Sequence, residues 1–322
     1  MGTVVVLGSL ITDLVARAPR LPYPGESLVS DDFSISLGGK GINQAIAAKR
    51  LGVEVTLVGR VGTDAFGDAF FPVLAEEHID STYVERDTAI GTGVSVVVVV
   101  EESGQNAIIA VPRANLAVPP ETVQEALQAA NAARGQSPAV FLTQCETSRG
   151  SYMVGLQRAR ELGFITILNA APIPREPLSD ELYTLVDILI VNEVEAASLA
   201  QIPVKSVETA KEAADVLLAR GPQHTIITLG GQGALWSKRE QWHGPLSTSS
   251  HQLLPPFPVK AIDTTAAGDS FCGALAACLA NGEPIEDALR RASAAGAIAV
   301  TRKGAIAALP TAEEIEDLLS QV

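Results

Sequence analysis

From Thr122 onward the chain alternates helical stretches with short apolar runs, and few folds accommodate that order. Residues 122–133 read as a helix before the run Ala139–Thr143, and 151–162 as a helix before Phe164–Leu168. A short helix near Ser179–Leu185 precedes Ile188–Val191, and a helix over 206–219 precedes Thr225–Leu229. Such short, nearly all-apolar strands are buried on both faces, and helical crossovers make them parallel neighbours. The pattern predicts an α/β fold: a doubly wound, mostly parallel sheet flanked by helices. Aromatic residues are only 4% of a chain that is 47% hydrophobic, so its core is built from Val, Ile, Leu and Ala.

The first third departs from this rhythm. Thr3–Leu7 reads as a buried strand opening at Gly8-Ser9. Leu14–Ala18 and Ser27–Leu37 read as further strands, and Thr92–Val100 and Ala107–Val111 as a pair joined by a turn at Glu101–Asn106. Strands at about 14–37 and 91–111 are expected to form a small separate sheet, a lid beside the main one. Asn43 and Gln44 stand at the start of a helix that runs through Ala45–Leu51 and ends at Gly52; Val53–Val58 is a strand, Gly59–Asp64 a polar loop and Ala65–His78 a helix. Trp236 and Trp242 suggest short strands near the end, and helices at Ile285–Val300 and Ala312–Ser320 close the chain.

Composition excludes several classes of function. A formal charge of −14 with no basic run and no aromatic ladder argues against nucleic acid. Cys145, Cys272 and Cys278 match neither a disulfide framework nor a zinc pattern, so they read as reduced, packed thiols. No apolar run is long enough to span a bilayer, and the opening residues lack a basic leader. A soluble, cytoplasmic protein is expected, with no membrane partner.

Chemistry-bearing residues gather where a parallel sheet places a ligand, outside the carboxyl ends of its strands. Asp13, Glu146, Asn169, Asn192 and Glu195 stand there, followed by the glycine-rich Thr228–Gly233, whose backbone N–H groups could wrap a phosphate. Leu37–Gln44 brings three glycines around Lys40 to the start of a helix but lacks the spacing and the Ser or Thr of a Walker A loop. Asp263-Thr-Thr-Ala-Ala-Gly-Asp269 is a small-residue turn feeding a helix that runs to Ala280. Its unpaired N–H groups and the helix dipole make an anion site. Asp269 at its mouth would repel an anion, which makes sense if the carboxylate takes a proton from a hydroxyl attacking a phosphoryl group. The alternative is a helix cap with packed alanines.

These segments together resemble the ribokinase-like (phosphofructokinase-B-like) family of carbohydrate kinases, and within it the ribokinases. The resemblance runs nearly end to end, through VVVLGSLITD at 4–13, PGESL at 24–28, LGGKGINQA at 37–45, NEVEA at 192–196, TLGGQGA at 228–234, DTTAAGDSFCGAL at 263–275 and IAVTRKGA at 298–305. It implies one kinase domain over 1–322, with the small sheet as lid and as clasp of a homodimer. It implies Asp269 as catalytic base and Ala266, Ala267 and Gly268 as the anion hole. Ile11, Thr12, Asp13, Gly39, Lys40, Gly41, Ile42, Asn43, Glu146 and Asp269 fall at sugar-binding positions. Asn192, Thr228, Leu229, Gly230, Gly231, Gln232, Gly233, Gly268, Asp269 and Ser293 fall at ATP-binding positions. Glu195 is implied to act on Mg2+ through water. Asp263, Thr265, Ala299, Arg302, Gly304 and Ala308 match a loop that binds an activating K+, mostly through backbone carbonyls.

The expected reaction is transfer of phosphate from ATP to the 5-hydroxyl of D-ribose. Three positions depart from the pattern. Ile11 stands where ribokinases carry Asn, which suggests a sugar lacking one hydroxyl, such as 2-deoxyribose. Ala308 replaces Ser in the cation loop, and Ser293 replaces a His against adenine. A nucleoside kinase and a non-catalytic sugar-binding regulator on the same scaffold are the alternatives.

Overall fold

The computed structural model describes residues 1–30, 32–100, 106–174, 176–240 and 249–321. Strand β1 (Thr3–Leu7) enters the core, and β2 (Ile11–Ala18) and β3 (Asp32–Gly38) leave it. Helix α1 (Lys40–Lys49) leads back to β4 (Glu54–Gly62). Two short helices, α2 (Ala65–Asp68) and α3 (Phe70–Glu76), precede β5 (Asp80–Asp87), and β6 (Gly93–Val100) and β7 (Asn106–Val111) complete the second sheet. The alternating part then runs α4 (Pro120–Arg134), β8 (Ala139–Gln144), α5 (Arg149–Glu161), β9 (Ile165–Asn169), α6 (Asp180–Thr184) and β10 (Ile188–Asn192). It continues through α7 (Glu193–Ala200), α8 (Val207–Ala219) and β11 (His224–Thr228). Strands β12 (Ala234–Arg239) and β13 (Ser249–Leu254) are followed by α9 (Ala267–Ala280), α10 (Ile285–Ala299) and α11 (Ala312–Ser320).

The large sheet has the order β13-β12-β11-β10-β9-β8-β1-β4-β5. It is parallel except where β12 folds back on β11 and β13 on β12. The all-apolar β1 shows why the run does not alternate. Val4 and Val6 pack into one layer with Ile42, Ile46 and Leu275, and Val5 and Leu7 into the opposite layer with Val123, Leu127 and Leu156. Both faces are dry, so both parities must be apolar. The small sheet has the order β3-β2-β6-β7, with β2 and β6 parallel and the outer pairs antiparallel.

Several local expectations are corrected. Gly59–Asp64 is no loop: β4 continues to Gly62, because Gly59–Gly62 pair with Val84–Asp87 of β5. That edge strand went unforeseen because its sequence, DSTYVERD, is half polar and lacks an apolar run. The helix expected over Ala65–His78 is two, since Pro72 has no N–H for the carbonyl of Asp68 and the first helix stops there. Strand β3 begins at Asp32 rather than Ser27. Helix α1 begins at Lys40, three residues before Asn43, and α7 is a helix that the sequence pattern does not announce. The turn expected at Glu101–Asn106, except for Asn106 itself, and Trp242 lie outside the described residues. Among the described residues no helix is long and apolar enough to cross a membrane.

Candidate active site

Strands β1 and β8 are neighbours, yet the helices that follow them lie on opposite faces. Helix α1 supplies Ile42 and Ile46 to one apolar layer, and α5 supplies Tyr152 and Leu156 to the other. Chains that part in this way open a crevice at the strands' carboxyl ends. The site is built there.

Glycines let the crevice close around its backbone. A Cβ built on Gly41 would stand 2.4 Å from the Gly8 carbonyl carbon, and one on Gly8 would stand 2.4 Å from the Gly41 Cα. The end of β1 and the start of α1 therefore touch main chain to main chain. Gly39, at φ 104°, makes the turn that L side chains resist and passes the Ser9 carbonyl with no room for a Cβ. It provides no capping side chain; the Lys40 N–H instead donates to Glu146 Oε2 at 3.3 Å, across from the end of β8.

Asp269 lies in the first turn of α9 and is 8% exposed. The cap alternative fails for this helix. No side chain caps α9, whose N-cap Ala266 sits in the left-handed region at φ 58°. The Asp269 carboxylate turns to α1: Oδ2 accepts from Asn43 Nδ2 at 2.9 Å and Oδ1 from Gln44 Nε2 at 2.9 Å. Ser270 is the first intrahelical donor, to the Ala266 carbonyl at 2.8 Å; before it the N–H groups of Gly268 and Asp269 have no backbone acceptor, while that of Ala267 reaches the Thr264 carbonyl at 3.4 Å. One helix start thus carries a fixed carboxylate on one side and amide donors with the positive dipole end beside it.

Three charged side chains, Lys40, Glu146 and Glu195, lie near it, and Asp13 stands on β2 beside the α1 start. Glu146 Oε2 accepts from the Ser9 hydroxyl. Burial lifts the Glu146 carboxyl above the usual range, and the nearby Lys40 ammonium only partly offsets this. Burial would lower Lys40, but Asp269, Glu146 and Glu195 outweigh it and hold its proton more tightly than usual. Burial likewise lifts Asp13, against the hydrogen bond from Ser95. Glu195 forms a capping box on α7: its Oε2 accepts from the Asn192 N–H at 2.9 Å, and its own N–H donates to Asn192 Oδ1 at 2.8 Å. Burial lifts Glu195 as well.

A cleft of about 480 Å3 opens beyond α9, between the turn after β11, the extended segment after β13 and the face of α10. Thr228, Gly230, Gly231, Gly233, Gly268 and Ser293 line it. Ser293 Oγ is buried and has no hydrogen-bond partner. Pro256, Phe257 and Val259 give the cleft apolar walls suited to a flat ring. Leu229 faces the core instead, and Gln232, Asn192 and Asp269 are not among the cleft's walls.

The loop after α10 is tied to the start of the DTTAAGD turn. Asp263 Oδ1 accepts from the Thr265 N–H at 2.9 Å and hydroxyl at 2.6 Å, and Oδ2 accepts from the Gly304 N–H at 3.0 Å. Burial works against its ionised form, but these hydrogen bonds prevail and its carboxyl sits below the usual range. Arg302 turns outward to pair with Glu314 of α11, and Ala308 is fully buried and offers only a methyl group. Among the described residues no group of three or more His, Cys, Asp or Glu side chains could hold a metal ion.

Ile11, Thr12 and Asp13 lie on β2, and Gly39, Lys40, Gly41, Ile42 and Asn43 at the α1 start, so these two sets flank one crevice with Glu146 and Asp269. Ile11 and Asp13, two apart, share a face of β2; Thr12 points the other way, and its hydroxyl is buried and unpaired. Ile42 is fully buried in the core. Sequence reasoning missed Ser9, Gln44, Ser95 and Gln144. The signal for Gln44 was helical spacing: Gly41, Ala47 and Ala48 share its face, the mark of a closely apposed second helix.

A family model described as pfkB family carbohydrate kinase matches residues 1–312. The chain is 37% identical to a ribokinase of Mus musculus over 97% of this chain and 93% of that one. It is 31% identical to a deoxyribokinase of Salmonella typhi over 98% of both chains. The solved structure of Arabidopsis thaliana ribokinase complexed with ribose and ATP superposes with a TM-score of 0.86, at 28% identity, over 99% of this chain and 98% of that one.

Proposed function

The chain belongs to the pfkB family of carbohydrate kinases, and we propose that it transfers the γ-phosphoryl group of ATP to the 5-hydroxyl of D-ribose. The observation that carries this reading is Asp269, held by two amides beside the uncapped start of α9. It stands between a cleft suited to a nucleotide and a pocket of buried carboxylates and Lys40. Relatives named ribokinase along nearly the whole length of both chains support it.

In this reading Asp269 takes the proton of the sugar's primary hydroxyl as that oxygen attacks. The anion hole of Ala266, Ala267 and Gly268, in which the Gly268 N–H is open and the neighbouring Asp269 N–H adds a second open donor, receives the charge that builds on the phosphoryl oxygens. Asp13 and Glu146 accept hydrogen bonds from sugar hydroxyls, and Asn43, whose Oδ1 is buried and unpaired, supplies a further acceptor. Lys40 neutralises charge between sugar and phosphate. The cleft residues from Thr228 to Gly233, with Ser293, hold the adenosine. Mg2+ would neutralise the phosphates, with Glu195 reaching it through water from the free oxygen of its capping box. K+ would take backbone carbonyls of the loops that Asp263 ties together, with no ligand from Ala308.

The small sheet acts as the lid of a single kinase unit, because β2 carries Asp13 into the crevice. One face of it exposes Phe33, Ile35, Val96 and Ile109, at 61%, 56%, 43% and 67% of their surface. A contiguous apolar face of this kind fits a second copy of the chain. We place the enzyme in the cytoplasm, a reading supported by its free Cys145, Cys272 and Cys278.

One observation favours 2-deoxyribose as the preferred sugar. Ile11 is 6% exposed, shares a face with Asp13 and cannot hydrogen-bond. A sugar hydroxyl placed against it would be buried unpaired, at about 1–3 kcal/mol. Turnover of ribose, 2-deoxyribose and fructose with ATP and Mg2+, with and without K+, tests both readings. Phosphorylation of a pentose is expected. Its absence for every pentose contradicts the kinase reading, and tight sugar binding without turnover would point to a regulator.

A further inference from the structure

We infer that Gln44 is a positioning residue for Asp269: it sets the plane of the carboxylate without touching either substrate. This rests on the kinase reading of Asp269 given above.

The hydrogen-bond directions around Gln44 are fixed by chemistry. An ionised carboxylate only accepts, so Gln44 must present its NH2 group to Asp269 Oδ1. The same NH2 donates to Asn169 Oδ1 at 3.1 Å. Asn169 cannot turn around, because its own NH2 donates to the Ile190 carbonyl at 3.2 Å. The Gln44 oxygen accepts from Gln144 Nε2 at 2.7 Å. Gln144 in turn fits against the chain only because Gly8 has no side chain: a Cβ there would stand 2.3 Å from Gln144 Oε1. Gln44 is therefore the hub of three amides anchored on β8, β9 and β10, and one of its two N–H bonds ends on the carboxylate.

Gln44 differs from its neighbour Asn43 in one respect that decides its role. Asn43 keeps an unpaired Oδ1 for a ligand. Gln44 is fully buried, and both its donors and its acceptor are engaged. It has no exposed surface and no free N–H donor for a sugar or a nucleotide. Whatever it contributes to turnover passes through Asp269. Only Gln144 Oε1 in this network lacks a partner; interlocked amides in a dry interior hold one another in place, and a displaced carboxylate degrades in-line attack.

Gln44→Met keeps the volume and removes every hydrogen bond. We expect kcat to fall roughly 10- to 100-fold, with KM for sugar and for ATP within about threefold of the wild type. A kcat within twofold of the wild type, or a loss appearing wholly in KM, overturns the assignment. Should that variant not fold, Gln144→Leu releases the Gln44 amide from its partner. It is expected to lower kcat severalfold at unchanged KM, and an unchanged kcat overturns the inference. A crystal structure of a folded variant separates this inference from the kinase reading. A turned Asp269 carboxylate supports the positioning role even if no sugar proves to be a substrate; an unmoved one overturns it.

Discussion

A Cβ built on Gly273 of α9 would stand 2.4 Å from the backbone carbonyl oxygen of Gln44 on α1. The two helices therefore meet main chain against main chain, one turn beyond Asp269. Residues 269 and 273 lie on one face of α9, and that spacing delivers the carboxylate to the amides of Asn43 and Gln44.

Gly273→Ala tests this contact. Its methyl group would also stand 2.6 Å from the Ala47 Cβ, so backbone must move. The expected loss of stability is about 1–3 kcal/mol by thermal or denaturant unfolding, with kcat reduced more than KM for sugar. A neutral substitution would show that the close approach is not needed.

Glu146→Gln should separate stability from function. Burial disfavours the ionised Glu146 in the folded protein, so a neutral isostere is expected to raise the melting temperature by roughly 1–3 °C. The same variant should raise KM for sugar at least tenfold, because a carboxylate acceptor is lost.

The pH dependence of sugar binding follows from the same groups. Glu146 and Asp13 accept hydrogen bonds best when ionised, and burial raises both pKa values. Affinity is then full above these raised values and is lost as pH falls through them. KM for sugar is expected to climb on acidification at a higher pH than carboxylates in water would give, with KM for ATP changing less. A flat KM for sugar down to the ordinary carboxylate range contradicts this.

Ile11→Asn restores a hydrogen-bonding side chain on the Asp13 face of β2. The ratio of kcat/KM for ribose over 2-deoxyribose should rise roughly tenfold. If it does not rise, Ile11 is not the selector.

Ile109→Glu places a charge in the apolar face of the small sheet. Sedimentation should show a dimeric wild type and a monomeric variant, and a monomeric wild type would remove the proposed clasp.

Much of this was legible in the sequence because the physics was local. The runs Ala139–Thr143 and Ile188–Val191 announce strands by being apolar at both parities, and α11 was bounded correctly by its capping box of Thr311 and Glu314. Asp269 stood out because a carboxylate beside an anion site reads either as a base or as a helix cap, and the fold removes the cap. The amphipathic edge strand β5 was not legible, since half of it faces water, and α7 hid behind an Asn192–Glu195 pair that attracts a functional reading. The amide chain through Gln44, Asn169 and Gln144 was hidden for a different reason: its members lie about 25 to 125 residues apart, and only the packed sheet brings them together.

The account turns on Asp269 as the group that receives the hydroxyl proton. Asp269→Ala is cleaner than an Asn replacement, whose NH2 would face the NH2 of Asn43 or Gln44. Turnover should be measured beside calorimetric sugar binding. The account predicts a kcat lower by roughly 1,000-fold with sugar affinity changed by less than about tenfold. A variant that turns over pentose at close to the wild-type rate would contradict it.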